Sequence, residues 1–170
     1  SGDFYSMETH NRCLEELKTL GLKRKEDDWC FERYNCPRFT TPDEAGNVIF
    51  SAALHASENG RHELLRMLSQ QPGGFDFDRC IDGNTPLISA VLNDKGKCVS
   101  VLLDLKADPN MCDDNGVSPI MHAVIDNNRT IARILMKHGA DPTLKDYTGR
   151  DALSCSRSEA MDEILNPQAD

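Results

Sequence analysis

Apolar residues recur three and four positions apart in several short windows, the spacing that gathers them on one face of a helix. Leu87, Ala90 and Val91 make one such stripe, and Ile120, Ala123 and Val124 make another. Val99, Leu102 and Leu103, then Ile131, Leu135 and Met136, form a second, more bulky pair. Thr85-Pro86 and Ser118-Pro119 stand at the head of the first two stripes. In each dipeptide the hydroxyl residue is suited to cap a helix, and proline fits the first helical position, where its missing N–H costs nothing. The alanine inside each of these stripes permits close stacking on a neighbour. Gly139, after Lys137-His138, marks a helix end of the kind closed by a left-handed residue. Lys106 holds the matching place one repeat earlier, where a Cβ strains such backbone by roughly 1–2 kcal/mol; this argues against the same cap there.

The stripes belong to a repeat. Asp82-Gly83-Asn84-Thr85-Pro86-Leu87-Ile88-Ser89-Ala90 leads to Val101-Leu102-Leu103 and Ala107-Asp108-Pro109-Asn110. Asn115-Gly116-Val117-Ser118-Pro119-Ile120-Met121-His122-Ala123 leads to Ile134-Leu135-Met136 and Gly139-Ala140-Asp141-Pro142-Thr143, and Thr148-Gly149-Arg150-Asp151-Ala152-Leu153 opens a third copy. Gly83, Gly116 and Gly149 step by 33 residues. These segments resemble the ankyrin repeat family: a glycine turn, T-P-L-H-x-A, an outer helix ending near a leucine pair, and a G-A-D-x-N return. The resemblance implies an all-α solenoid of helix-turn-helix units joined by β-hairpin loops.

Less regular units flank the clear ones. Asp43-Glu44-Ala45-Gly46 opens an earlier unit in which Val48-Ile49-Phe50 replaces T-P-L and which runs to Leu64-Leu65-Arg66-Met67-Leu68. Gly46 precedes Gly83 by 37 residues, so four extra residues are assigned jointly to the turn at Ser57-Glu58-Asn59-Gly60 and the loop at Gln71-Pro72-Gly73-Gly74. Near the C-terminal end, Ser156 and Glu159 have the spacing of a capping box for a short helix carrying Met161, Ile164 and Leu165. Ahead of the repeats, Cys13, Leu14, Leu17 and Leu20, followed by Gly21, predict an amphipathic helix that caps the first face of the stack. Lys23 to Asp28 reads as a charged connection. The expected organisation is an N-terminal helical cap or extension at 1–42, an ankyrin repeat domain at 43–165 with units at about 43–77, 78–111, 112–144 and 145–165, and a tail at 166–170.

Charge narrows the partner. The 170 residues carry a formal charge of −9, and the excess falls within 43–170, where twenty acidic side chains face twelve basic ones. Such a surface repels a phosphate backbone and attracts a basic segment, so no nucleic acid is expected. No apolar run has the length of a membrane span, no secretory signal is present, and Ser1-Gly2 has the look of a cloning remnant. The seven cysteines are odd in number and lack short paired spacings, which favours reduced thiols in cytoplasm or nucleus.

In the ankyrin family, hairpin tips and the exposed side of the inner helices line a concave binding face. The resemblance places Arg79, Ile81, Asp82 and Asn84, then Asp114, Asn115 and Val117, then Lys145, Tyr147, Thr148 and Arg150, at hairpin positions. It places His55, Leu92, Asn93, Ile125 and Asp126 on inner helices. Leu92 and Ile125 stand where the family shows a solvent-facing residue, which implies an apolar spot among Asp82, Asp114 and Asp126. The bland alternative is that both pack on neighbouring turns amid solvated carboxylates. A protein or peptide, basic or amphipathic, is the expected partner of a monomeric interaction module belonging to a larger scaffold or regulatory protein.

Other chemistries have weaker bases. Trp29, Phe31, Tyr34 and Phe39 would suit a cage for methylated lysine, as in a histone-tail reader, or simply pack an extension on the first unit. Cys30, Cys36, His55 and His62 lack the spacing of a familiar zinc site, so no metal or other cofactor is expected. Asp82-Gly83-Asn84 and Asp113-Asp114-Asn115-Gly116 lack the closing glutamate of a calcium loop and read as hairpin turns. Cys112 and His122 are the nearest approach to a thiol nucleophile and base, but nothing in the sequence brings them together. No catalytic residue is assigned.

Overall fold

The computed structural model describes residues 50, 52–70, 75–80 and 83–166, together with the backbone of 24–25 and 28–29. The cap helix expected around Cys13–Leu20, the side chains of the aromatic stretch from Trp29 to Phe39, Cys30, Cys36, Ile81, Asp82 and the tail after 166 lie outside the described residues. Arg24–Lys25 (β1) pairs antiparallel with Asp28–Trp29 (β2), Arg24 opposite Trp29 and Lys25 opposite Asp28. An antiparallel strand pair therefore overlaps the segment expected to be a charged connection.

The rest is helical, with a shorter, inner helix followed by an outer one in each unit. The helix at 52–58 (α1) is followed by His62–Ser69 (α2). Pro86–Leu92 (α3) and Gly96–Asp104 (α4) form the second pair, and Pro119–Ile125 (α5) and Arg129–Lys137 (α6) the third. Ala152–Cys155 (α7) and Glu159–Leu165 (α8) complete the stack. α3 packs on α5 and α5 on α7, while α2, α4, α6 and α8 pack in succession. A continuous core runs through them, from Ala52 and Leu65 past Leu102 and Ile131 to Met161 and Leu165.

Local chemistry explains the helix boundaries. The Thr85 hydroxyl accepts the Ile88 N–H at 3.1 Å, as its position predicts. Ser118 occupies the same place without capping: its hydroxyl is buried and finds no partner. A β-branched residue holds few side-chain rotamers, whereas serine is free to turn its oxygen away from the helix. Asp151 replaces the threonine in the last unit and accepts the Ser154 N–H at 2.8 Å. The final helix differs from expectation, because Ser158 caps it through Met161 N–H and Glu159 is its first residue. Ser156 instead ends α7 in extended conformation, too early to take part in a capping box.

Two left-handed turns recur. Between inner and outer helices, Gly60, Asp94 and Asn127 take φ of 74°, 54° and 52°, a region in which aspartate and asparagine are tolerated. The following N–H groups of Arg61, Lys95 and Asn128 donate to the carbonyls of Ala56, Ala90 and Ala123, each at 2.8 Å. At the end of the outer helix, Lys106 adopts φ 70° despite its Cβ, and Gly139 φ 87°. Lys106 N–H reaches Leu103 O and Ala107 N–H reaches Leu102 O, matching the bonds from Gly139 and Ala140 to Met136 and Leu135. The cap thus forms without glycine, its two hydrogen bonds and the burial of Ala107 offsetting the strain.

Equivalence of Ala56, Ala90 and Ala123 resets the first unit. Ser51-Ala52-Ala53 aligns with Thr85-Pro86-Leu87, three residues after the segment expected to replace T-P-L, and Phe50 is already helical and fully buried. The turn at 57–60 is no longer than its counterparts. Asp76, Asp108 and Asp141 each accept the N–H two residues on, at 2.9, 2.8 and 2.9 Å, and so mark one position in three units. Gly60 to Asp76 spans sixteen residues against fourteen from Asp94 to Asp108, so two extra residues fall in the loop containing Gln71-Pro72-Gly73-Gly74.

Candidate functional site

The hairpins that edge the stack are shaped by Asp113 and Asp146, neither of them among the expected binding residues. Asp113 Oδ1 accepts the N–H groups of Asn115 and Val117 at 2.8 and 2.9 Å, while Asp113 N–H donates to Val117 O at 3.0 Å. Asp146, thirty-three residues on, repeats this with Thr148 and Arg150 and also accepts the Thr148 hydroxyl and both Nε and Nη2 of Arg150. The Thr148 hydroxyl, followed by the backbone and guanidinium donors of Arg150, holds the Asp146 carboxyl well below the usual carboxylate range. An aspartate three residues before each repeat glycine is the signal that would have found both. Cys80 stands at that place in the second unit.

Successive tips rest on one another. A Cβ on Gly83 would come within 2.8 Å of the Asp114 carboxyl, and one on Gly116 within 2.9 Å of the Tyr147 ring. Both glycines have positive φ, 71° and 74°, and the close approach of the next unit gives a second reason for glycine. Tyr147 N–H also donates to Asn115 O at 3.1 Å.

Against this frame of hairpins, Leu92 and Ile125 end their inner helices 49% and 43% exposed, at one position in successive units. Asn93 and Asp126 follow them at the C-caps, both exposed, and the Asn93 amide donates to Ser89 O at 2.8 Å. Asp114 and Asn115 are exposed at the next tip, and Tyr147 is 81% exposed at the one beyond. Arg150 is exposed but engaged with Asp146, and the Arg79 guanidinium lies 5.8 Å from the Phe50 ring centroid. Asn84 is half-buried, its Oδ1 without a hydrogen-bond partner, and Val117 is half-buried against the core. Lys145 and Thr148 are exposed; His55 is half-buried. Leu153, 51% exposed, is an apolar surface residue that the sequence did not single out. It matches buried Leu87 and Ile120 in register, but α7 is only one turn long.

The thiol and imidazole considered for catalysis serve separate bonds. Cys112 Sγ donates to Asn110 O at 3.4 Å, and His122 Nε2 stands 3.1 Å from Asp113 Oδ2. Burial, then the charges of Asp113 and Asp108, push the Cys112 thiol up, the reverse of what a nucleophile requires. Burial likewise pushes Cys98 up to about 11. Among the described residues, no three of His, Cys, Asp or Glu gather closely enough to hold a metal ion, and no helix is long and apolar enough to cross a membrane.

Stacked helical pairs edged by hairpins define a repeat solenoid. The family model described as ankyrin repeats (3 copies) matches residues 53–146 and 93–165, and the chain belongs to this family. Its repeats are generally protein–protein interaction modules and typically lack enzymatic activity. No curated protein matches the chain.

Proposed function

We propose that the repeat domain, taken as 43–165 with 1–42 as its cap, recognises a basic amphipathic segment of a partner protein as part of a scaffold or regulatory protein. The binding face comprises the hairpin residues Arg79, Ile81, Asp82, Asn84, Asp114, Asn115, Val117, Tyr147 and Arg150 and the inner-helix residues Leu92, Asn93, Ile125 and Asp126. The observation that carries the reading is the pair of exposed apolar side chains, Leu92 and Ile125, at one position of consecutive inner helices, with exposed Asp126 next to Ile125 in the chain and exposed Asp114 at the hairpin tip before α5. Covering both contributes on the order of 2 kcal/mol, and the carboxylates orient a basic partner and speed its arrival. Helices α3 and α5 preset the backbone positions of Leu92 and Ile125, which lowers the ordering cost of association.

Titration of a labelled basic amphipathic peptide against the protein and its Leu92→Glu, Ile125→Glu double variant tests this. Loss of affinity by roughly tenfold or more in the variant, with its helical circular dichroism intact, is the expected result. Equal binding by both proteins overturns the placement of the site.

A further inference from the structure

The outer helix of the third unit carries a feature of opposite sign. α6 buries Ile131, Ala132 and Leu135 and exposes Arg129, Arg133 and Lys137. The basic residues follow one another at four-residue intervals, which sets them about 6 Å apart along the helix axis and in one stripe. None of the three side chains makes an ion pair or hydrogen bond among the described residues. Among the described residues the stripe belongs to α6. Gly96, Ser100 and Asp104 hold the same positions on α4, and His62, Arg66 and Gln70 hold them on α2. Beside it, an open groove of about 540 Å³ runs from Asp94 and Gly96 to the first turn of α6. Two carboxylates line it: Asp94 is occupied by the Asn128 amide at 2.6 Å, and exposed Asp126 stands at the α5 end, which leaves the Arg129–Arg133–Lys137 stripe itself as the cationic part.

We infer that the Arg129–Arg133–Lys137 face of α6 is a second docking surface, and that its occupant is an acidic peptide segment with carboxylates spaced about 6 Å apart, as at successive i and i+4 positions of a helix. Charge complementarity selects the occupant: three cations without an ion pair among the described residues stand in a row on a domain whose net charge is negative. A lipid surface suits the stripe poorly, because the exposed large apolar side chains among the described residues are Leu92, Ile125, Tyr147 and Leu153, none of them on α6. A nucleic acid suits it poorly as well, because 43–170 as a whole carries twenty acidic side chains against twelve basic ones. Two oppositely charged faces make the module a bridge, taking a basic segment on its inner helices and an acidic one on an outer helix.

The test is a fluorescence-anisotropy titration of a helix-prone peptide carrying glutamate at i, i+4 and i+8, beside its glutamine counterpart. The proteins compared are the wild type, an Arg129→Gln, Arg133→Gln, Lys137→Gln triple variant, a Lys97→Gln control and the Leu92→Glu, Ile125→Glu variant. The expected result is binding of the glutamate peptide alone, weakened by high salt and by roughly tenfold in the triple variant, and unchanged in the other two. Full-strength binding by the triple variant, equal binding of both peptides, or no binding to the wild type overturns the inference. Cosedimentation with phosphatidylserine-containing vesicles in the absence of peptide binding also overturns it and assigns the stripe to a lipid surface. Because the concave variant is scored separately, failure of either face is distinguishable from failure of the other.

Discussion

The Tyr147 ring covers Gly116 so closely that a Cβ at the glycine would lie 2.9 Å from Cδ1 of the tyrosine. Gly149 has a similar φ of 83°, but nothing lies within 4 Å of a Cβ built there. Gly149→Ala therefore meets backbone strain alone, roughly 1–2 kcal/mol, whereas Gly116→Ala adds a collision. Urea unfolding is expected to show the greater loss for Gly116→Ala, and Tyr147→Ala should recover only the excess. Equal losses in the two alanine variants would show that the ring moves aside freely.

Thr85 and Ser118 hold the same place in the repeat and respond oppositely to alanine. Thr85→Ala removes a helix cap and is expected to cost about 1 kcal/mol. Ser118→Ala removes a buried hydroxyl that has no partner and is expected to be neutral or stabilising, since an unsatisfied buried donor carries its desolvation penalty uncompensated. Denaturant midpoints of the two variants measured side by side check the signs.

Lys106, at φ 70°, predicts a gain. Lys106→Gly relieves the Cβ strain in the outer-helix cap and is expected to stabilise by about 1 kcal/mol after the greater freedom of glycine in the unfolded chain is counted. Gly139→Lys should shift the melting temperature the other way.

Three aspartates are expected to make the fold acid-sensitive. Hydrogen bonds from Thr148 to Asp146, from Thr143 to Asp141 and from Ser154 to Asp151 lower the pKa of each carboxyl. A carboxyl depressed by folding contributes stability that is present above its unfolded pKa, about 4, and that fades as pH falls through the folded value. Asp78 works in the opposite sense, since burial raises it. Stability is thus expected to decline below about pH 4. Asp146→Asn should unfold more readily at neutral pH while losing less on acidification than the wild type, a difference read from unfolding midpoints across pH.

Much of the fold is legible in the sequence because it is written in spacing. The 33-residue step, the Thr-Pro and Ser-Pro helix starts and the paired stripes locate the inner and outer helices of the second and third units. The first unit misleads, since Gly46 stands 37 residues before Gly83 while the left-handed Gly60 stands 34 before its counterpart Asp94. Rotamer choice is invisible to spacing, so Ser118 and Thr85 read alike although only one caps. The exposure of Leu92 and Ile125 follows from their register, but the support beneath the tips does not. Asp113 and Asp146 work through hydrogen bonds to backbone, and two charges beside a glycine turn look like ordinary solvated residues until the bonds are seen.

Backbone N–H groups at the start of one return loop are held by side chains of the loop before it: Asp108 N–H by Asp78 Oδ1 at 2.6 Å, and Asp141 N–H by Asn110 Oδ1 at 2.7 Å. The first and second units thereby set the pitch of their successors. A partner spanning two units meets something like a ruler with graduations cut at a constant interval, and an inserted residue between Asp78 and Asp108 would misplace every mark beyond it.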